Sequence, residues 1–371
     1  SRLQYPHTRM KIAILGTRGI PARYGGFETL ADQLSRRLVE RGHEVTVYCR
    51  KAFTHPDDVY DQRIRRVILP GVPSKHFDTL VHTFFSIVHV LFTDIEVILT
   101  CNVANSPFVW MPRVVGKPTA LNVDGLDRKR RKWNVLGQWF LHFCEMLSPI
   151  TPTRVVTDAK AIQDYYRQRY GKESTMIAYG SDPPPGKAGL NGFPLTRNQY
   201  ILYVSRLEPE NNPELVIRAY KRVKTDWPLV IVGGNTYKPE YPDYLKSIAD
   251  KRVIFTGGVY GEGYWALQKN AGLCIFASEV GGVHPALVEA MAARNAVLYL
   301  DTPENRETAG DCGVMFSNEA DLSQKIATLT EQPELLESVA DRAQQRAQGL
   351  FSWDRITTQY EALFREMVRK H

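Results

Sequence analysis

Residues 11–48 read KIAILGTRGIPARYGGFETLADQLSRRLVERGHEVTVY, and this stretch decides the fold class. Lys11 to Leu15 is a short apolar run of strand type. The turn GTRGIPARYGGFET then places Gly16, Gly19, Gly25 and Gly26 ahead of a helical pattern running from about Phe27 to Arg41. A second strand pattern follows at Glu44 to Tyr48, completing a βαβ unit. The alternation continues outward. Strand patterns recur at Arg65–Leu69, Val97–Thr100, Pro118–Asn122 and Arg154–Thr157, with helical segments near 77–93, 134–148 and 159–170. An α/β doubly wound parallel sheet is the simplest container for that order.

The stretch GSDPPPGKAGLNGFPLTRN, Gly180 to Asn198, is rich in Pro and Gly and reads as an interdomain linker. Beyond it the alternation restarts. Strand patterns at Tyr200–Ser205, Leu229–Val232, Val253–Thr256, Leu273–Phe276 and Ala296–Leu300 are separated by helical stretches near 212–224, 240–250, 262–270 and 285–294. After Asp321 the pattern is helical to the end. A first domain over residues 1–180 and a second from 181 onward therefore suit a chain of 371 residues.

Composition narrows the class further. The chain is 43% hydrophobic and 23% charged, which excludes disordered and fibrous folds. Its longest nearly apolar stretch, Val81 to Phe92, is broken by His82, Thr83, Ser86 and His89, short of the roughly 18 residues a spanning helix needs. Residues 1–9 lack the apolar core of a signal peptide and read as an expression remnant or a short native tail. The five cysteines are widely spaced with no CxxC pair, arguing against a disulfide framework or a zinc site. A cytoplasmic location is the expectation, and no metal is expected. Charge is uneven: residues 1–180 hold 26 Lys and Arg against 16 Asp and Glu, and the remainder holds 21 against 24. The first half is thus expected to meet something anionic.

Three places carry chemistry. Glycines between strand and helix at Gly16–Gly26 let backbone N–H groups approach an anion at a helix amino end, or else merely shape a long turn. The spacing is not GxGxxG, and Tyr48, Cys49 and Arg50 stand where a dinucleotide site wants an acid. In YILYVSRLEPENN, Arg206 falls just past a strand's carboxyl end, suited to phosphate oxygens or to pairing with Glu208 or Glu210. In FASEVGGVHPALVEAMAARNAV, the diglycine Gly281–Gly282 again offers amides. Glu289 lies among Ala286, Leu287, Ala290 and Met291; it either accepts hydrogen bonds from groups such as ribose hydroxyls or is a surface Glu.

These motifs taken in order, with DTPENRETAGDCGVMF downstream, resemble a retaining glycosyltransferase of family 4, which implies the GT-B fold. The segments GTRGIPARYGGFETLADQL, NVDGLDRKRRKW, AIQDYYRQRYG, AYGSD, RLEPENN and VGGVHPALVEAMA are similar to the branch that includes bacterial cell-surface rhamnosyltransferases. The resemblance implies two Rossmann-like domains facing a cleft. The nucleotide sugar would lie mainly on the second domain, over 181–351. The acceptor would lie on the first, over 1–180, completed by a crossing helix at 352–371. It also implies transfer of a sugar from a nucleoside diphosphate to an acceptor hydroxyl, with dTDP-rhamnose as the leading donor and a glycan or lipid-linked glycan as acceptor. No cofactor beyond the donor is expected.

Two departures from the family pattern stand out. Gly281 occupies the position of the usual sugar-contacting Glu, with Glu279 the nearest carboxylate, and Asn211 replaces the usual diphosphate-binding Lys. Asp124 stands where the family commonly has His, and is either a base for the acceptor hydroxyl or a turn residue before Gly125. Asp127 is suited to pairing with Arg128 or Arg131. The run RKRRKW with Trp133, Trp139 and Phe140 is either a solvated face or a contact with an anionic membrane surface. Nucleic acid is not expected as a partner. Alternative functions are a nucleotide-sugar epimerase, a catalytically weak nucleotide-sugar-binding scaffold and, more distantly, a dehydrogenase.

Overall fold

A computed structural model describes residues 9–23, 25–72, 78–123, 135–184, 189–234 and 238–370. The chain divides into two compact units: residues up to Ala178 together with Trp353 onward, and Tyr179–Ser352. The first unit holds, in order, β1 (Lys11–Leu15), α1 (Gly26–Glu40), β2 (Glu44–Arg50), β3 (Arg65–Leu69), α2 (Asp78–Leu91), β4 (Val97–Cys101), α3 (Met111–Val114), β5 (Thr119–Asn122), α4 (Val135–Leu147), β6 (Arg154–Thr157), α5 (Lys160–Tyr170) and β7 (Thr175–Met176). All its strands are parallel, in the order β3-β2-β1-β4-β5-β6-β7. Strand order therefore reverses between β1 and β4, the point at which open α/β sheets bind ligands beyond the carboxyl ends.

Helix α1 forms because Leu30, Leu34 and Leu38 recur on one buried face while Glu28 complements the dipole in the first turn. It stops at Gly42, whose φ of 90° lets the His43 N–H turn back to the Leu38 carbonyl at 3.0 Å. Every residue of β4 is buried, as expected of a strand covered on both faces.

The second unit continues with β8 (Ile201–Val204), α6 (Pro213–Lys221), β9 (Leu229–Val232), α7 (Tyr241–Ile248), β10 (Val253–Gly257), α8 (Gly261–Asn270), β11 (Leu273–Phe276), α9 (Pro285–Ala292), β12 (Val297–Leu300), α10 (Pro303–Ala309), β13 (Val314–Phe316), α11 (Glu319–Glu331) and α12 (Pro333–Leu350). Its parallel sheet runs β10-β9-β8-β11-β12-β13, reversing between β8 and β11. Strand residues such as Tyr203, Ile231 and Leu298 form the core with Val216 and Ile326 from the covering helices.

The last helix, α13 (Trp353–Arg369), belongs to the first unit and packs on α1. The Tyr360 hydroxyl accepts a hydrogen bond from Asn122 Nδ2 at 2.8 Å. Glu361 takes the Arg41 guanidinium at 2.8 Å and His43 Nε2 at 3.0 Å, and pairs with Arg365 at 2.6 Å. Burial alone would push the Glu361 carboxyl up. Hydrogen bonds from His43, Arg365 and Arg41 outweigh it and hold the group at about 2.

The short strands β7 and β13 and the short helices α3 and α10 are absent from the sequence reading, because two to seven residues are too few to show a period. All five cysteines are free thiols, four of them buried. Among the described residues, no helix is long and apolar enough to cross a membrane.

Candidate functional site

In the second unit, the loops after β8 and β11 emerge from neighbouring strands at the reversal point, and the backbone stitches them together. Asn212, in the left-handed region at φ 54°, donates from Nδ2 to the Ala277 carbonyl at 2.9 Å and to Glu279 Oε1 at 3.0 Å. The Glu279 N–H donates to the Glu210 carbonyl at 2.9 Å. Residues 65 or more positions apart in sequence thus become one surface. Glu279, the nearest carboxylate to the position of the absent family Glu, is engaged in this stitching.

Arg206 is exposed on that surface, with its guanidinium 3.7 Å from the buried Glu208 carboxylate. Its carbonyl accepts bonds from the Glu208 N–H, Ser205 Oγ and Asn211 Nδ2, each at 2.8 Å. Asn211 therefore spends its amide on shaping the Arg206 turn. The Tyr203 hydroxyl donates to the Asn211 carbonyl at 2.6 Å and fixes the loop from below.

Past β11, Gly281 has φ 137°, and a Cβ built on it would meet the His284 ring at 2.5 Å. A Glu at 281 would need both a strained backbone and a displaced imidazole. The space belongs to His284, which precedes α9 and tilts against Phe276 at 4.9 Å between centroids. Sequence reasoning passed over this histidine; its place between the diglycine and the helix-opening Pro285 was the available signal. Helix α9 has no acidic residue in its first turn and no side-chain cap, so its amino end favours an incoming anion.

Glu289 lies one turn further along α9. Its Oε2 accepts a hydrogen bond from the Tyr264 hydroxyl, which in turn accepts from Gln268 Nε2 at 2.9 Å. Burial pushes the Glu289 carboxyl up to about 7, against the opposing pull of hydrogen bonds from Tyr264 and Tyr179. Among the described residues, those that hydrogen-bond this carboxylate are neutral tyrosine hydroxyls.

The first unit's loop after β1 is arranged differently. Gly16, at φ 86°, sits so close to β4 that a Cβ would lie 2.2 Å from the Cys101 carbonyl oxygen. Gly19, at φ 115°, is equally constrained by Cys49. At Gly25, just ahead of Gly26 and α1, the position of a Cβ is taken by the Glu28 carboxylate at 2.7 Å; Glu28 Oε1 also accepts the Arg18 N–H at 3.1 Å. Arg23 pairs with Asp58, and Arg18 lies over the Phe53 ring at 4.9 Å. Asp124, Asp127 and the run Arg128–Trp133 lie outside the described residues. Among the described residues, no group of three or more His, Cys, Asp or Glu is placed to hold a metal ion.

Residues 24–184 match the family described as Glycosyltransferase Family 4, and residues 192–346 match Glycosyl transferases group 1. The chain is built of two glycosyltransferase domains. Together the two matches span most of the chain, one in each half. A curated relative from Campylobacter jejuni, an N-acetylgalactosamine-N,N'-diacetylbacillosaminyl-diphospho-undecaprenol 4-alpha-N-acetylgalactosaminyltransferase, is 30% identical over 184 residues. That match covers 48% of this chain and 49% of the relative, so the chain spans about half the length of the curated relative it matches. Among solved structures, a sucrose-phosphate synthase from Thermosynechococcus elongatus superposes with a TM-score of 0.80 at 19% identity, covering 98% of this chain and all of that one. Anabaena Alr3699/HepE, solved with UDP and glucose, superposes at 0.77 with 16% identity, covering 96% and 100%. These two likenesses bear on the fold, which is GT-B with two parallel-sheet Rossmann-like domains.

Proposed function

We propose that the protein is a retaining glycosyltransferase that moves a sugar from a nucleoside diphosphate to an acceptor hydroxyl during cell-surface glycan synthesis. The observation that carries this reading is the joined pair of loops at the β8/β11 reversal, with Arg206 exposed on it and a glycine-rich turn opening onto the unneutralised end of α9. In such a transfer the sugar separates as an oxocarbenium-like centre from a departing diphosphate. Arg206 and the N–H groups at Gly281, Gly282 and the start of α9 take up the growing negative charge. Asn211 holds the Arg206 turn in position, and His284 occupies the sugar-side position where the family's Glu is missing.

Glu289 is assigned to the ribose hydroxyls, which would take over lone pairs now served by tyrosine hydroxyls. Gly16, Gly25 and Gly26 are assigned to the acceptor side, with Asp124 orienting or deprotonating the acceptor hydroxyl. Arg206 and the helix end supply the role a divalent ion would otherwise have, so turnover is expected to survive chelation by EDTA without any cofactor. The leading donor is dTDP-rhamnose by sequence resemblance. A UDP-sugar follows, given the UDP bound to the Anabaena structure. The relative's diphospho-undecaprenol acceptor supports a lipid-linked glycan as acceptor and an anionic membrane surface on the cytoplasmic side as the place of work.

A thermal-shift panel of dTDP, UDP, GDP and NAD tests the assignment first. One nucleoside diphosphate is expected to raise the melting temperature, followed by sugar transfer to a glycan acceptor with the anomeric configuration kept. Stabilisation by NAD alone, or by none of the four, would sink it. A product epimerised without acceptor would favour the epimerase instead, and tight binding without turnover the scaffold.

A further inference from the structure

Two tyrosine hydroxyls serve the Glu289 carboxylate, and they are anchored differently. Tyr264, on α8, donates to Glu289 Oε2 while its oxygen accepts from Gln268 Nε2, one turn further on, at 2.9 Å. Gln268 is fixed in turn. It is 1% exposed, and its Oε1 accepts from Asn295 Nδ2 at 3.3 Å and from the Cys274 thiol. Asn295, buried just ahead of β12, also donates to the Gln268 carbonyl at 2.7 Å. The chain Asn295–Gln268–Tyr264–Glu289 therefore has one direction: each amide spends an N–H on the next oxygen, which commits the Tyr264 proton to Glu289.

Tyr179 reaches the same carboxylate from another kind of place. It is the residue at which the chain enters the second unit, in the stretch AYGSD, and residues 177–184 lie in neither helix nor strand. Shifting its hydroxyl breaks no helical or sheet hydrogen bond, whereas moving Tyr264 dismantles the buried chain behind it. Glu289 keeps part of its surface exposed, so a ligand can reach it. A ribose hydroxyl arriving there meets one oxygen held by Tyr264 and a lone pair in the keeping of Tyr179. Exchange of hydroxyl for hydroxyl costs little. A sugar without that hydroxyl either leaves Tyr179 in place and gains nothing, or displaces it and leaves a shielded carboxylate oxygen unpaired, which is costly.

We propose that Tyr264 is the positioning residue that aims Glu289 at the donor's ribose, and that Tyr179 competes with a ribose hydroxyl for the same carboxylate and gives way to it. The pair makes the site selective for a nucleotide that carries this hydroxyl. The inference rests on the transferase reading, which supplies the nucleoside diphosphate, and adds to it two residues with opposite effects on donor affinity.

The test is isothermal titration of the full chain, as wild type, Tyr179→Phe and Tyr264→Phe, with dTDP, UDP and GDP and with their 2′,3′-dideoxy analogues. For the nucleoside diphosphate that binds, Tyr264→Phe is expected to weaken affinity about tenfold and Tyr179→Phe to strengthen it about threefold, the worth of one hydrogen bond lost from the site or from its competitor. With the dideoxy analogue both shifts should vanish. A merely structural role would move both ligands alike. Weaker or unchanged binding in Tyr179→Phe, unchanged binding in Tyr264→Phe, or equal shifts with the dideoxy analogue overturns the inference. Should Tyr264→Phe fail to fold, the sign at Tyr179 decides alone. Sugar transfer that persists with the wrong sign at Tyr179 overturns this inference and leaves the transferase reading standing; a wild type that binds no nucleoside diphosphate overturns both.

Discussion

The loop after β1 in the first unit and the loops after β8 and β11 in the second occupy equivalent places, each at the reversal of a parallel sheet. They are finished in opposite ways. In the first, the protein's own Glu28 stands in the opening turn of α1 and takes the Arg18 N–H, so the amino end of the helix already faces a carboxylate. In the second, α9 opens without an acid, and Arg206 is exposed on the loop stitched to it. The same architecture therefore presents a self-neutralised edge and an anion-seeking edge. The former suits a neutral hydroxyl and the latter a diphosphate.

The sharpest way to break this contrast is to remove one arginine from each edge. Arg206→Ala is expected to lower turnover by about two to three orders of magnitude, as removal of a transition-state charge donor does. Arg206→Lys should fall between, because it keeps the charge and loses the planar fork. Arg18→Ala should leave nucleotide affinity where it was. Steady-state rates and nucleoside-diphosphate affinities on the three proteins decide the matter, and equal losses at Arg18 and Arg206 would erase the distinction. Next in size, Asp124→Asn is expected to cost roughly two orders of magnitude in transfer, the range of general-base catalysis. Nucleotide affinity and melting temperature should hold; full transfer would strike Asp124 from the site.

A smaller effect separates two acids. Glu289→Gln should weaken nucleoside-diphosphate binding by about 1 to 3 kcal/mol, the worth of a charge-assisted hydrogen bond, while Glu28→Gln leaves it unchanged. Isothermal titration measures both, and an unaltered affinity in Glu289→Gln removes that residue from the ribose.

The smallest effect is on pH dependence, where two largely shielded carboxylates, one in each unit, have opposite signs. Glu361, held at about 2 by hydrogen bonds from His43, Arg365 and Arg41, contributes stability that is present above its ordinary value of 4.5 and lost as pH falls toward 2. Glu289, raised from 4.5 to about 7, contributes stability that is present below 4.5 and lost as pH rises through 7. Melting temperatures from pH 4.5 to 7 should therefore improve for Glu289→Gln relative to wild type as pH rises. Relative to wild type, Glu361→Gln should lose most at neutral pH and least toward pH 2. A flat difference for Glu289→Gln would mean that its carboxyl titrates in the ordinary range.

Much of the architecture was legible without coordinates, because strands buried on both faces must be apolar and helices covering them must repeat every three to four residues. Lys11–Leu15, Leu229–Val232 and Leu273–Phe276 appear as strands with the bounds the pattern implies. Arg206 and the diglycine at 281–282 were legible for a related reason: position just past a strand of an α/β sheet is a local property. Periodicity had no hold on what these residues touch. That the Asn211 amide turns onto the Arg206 carbonyl, that His284 fills the space above Gly281, and that Tyr264 reaches Glu289 from 25 residues away depend on packing between loops.

The same division appears at α4, where the sequence left Trp139 and Phe140 as either a solvated face or a membrane contact. The sequence by itself determined the two sheets, the basic first half and the helical period, since each follows from local chemistry summed along the chain. Only the tertiary structure decided which of the α4 side chains found a partner and which, like Leu136 and Trp139, were left facing outward. Burial depends on what the rest of the fold brings to a helix, and that is a property of distant residues meeting in space.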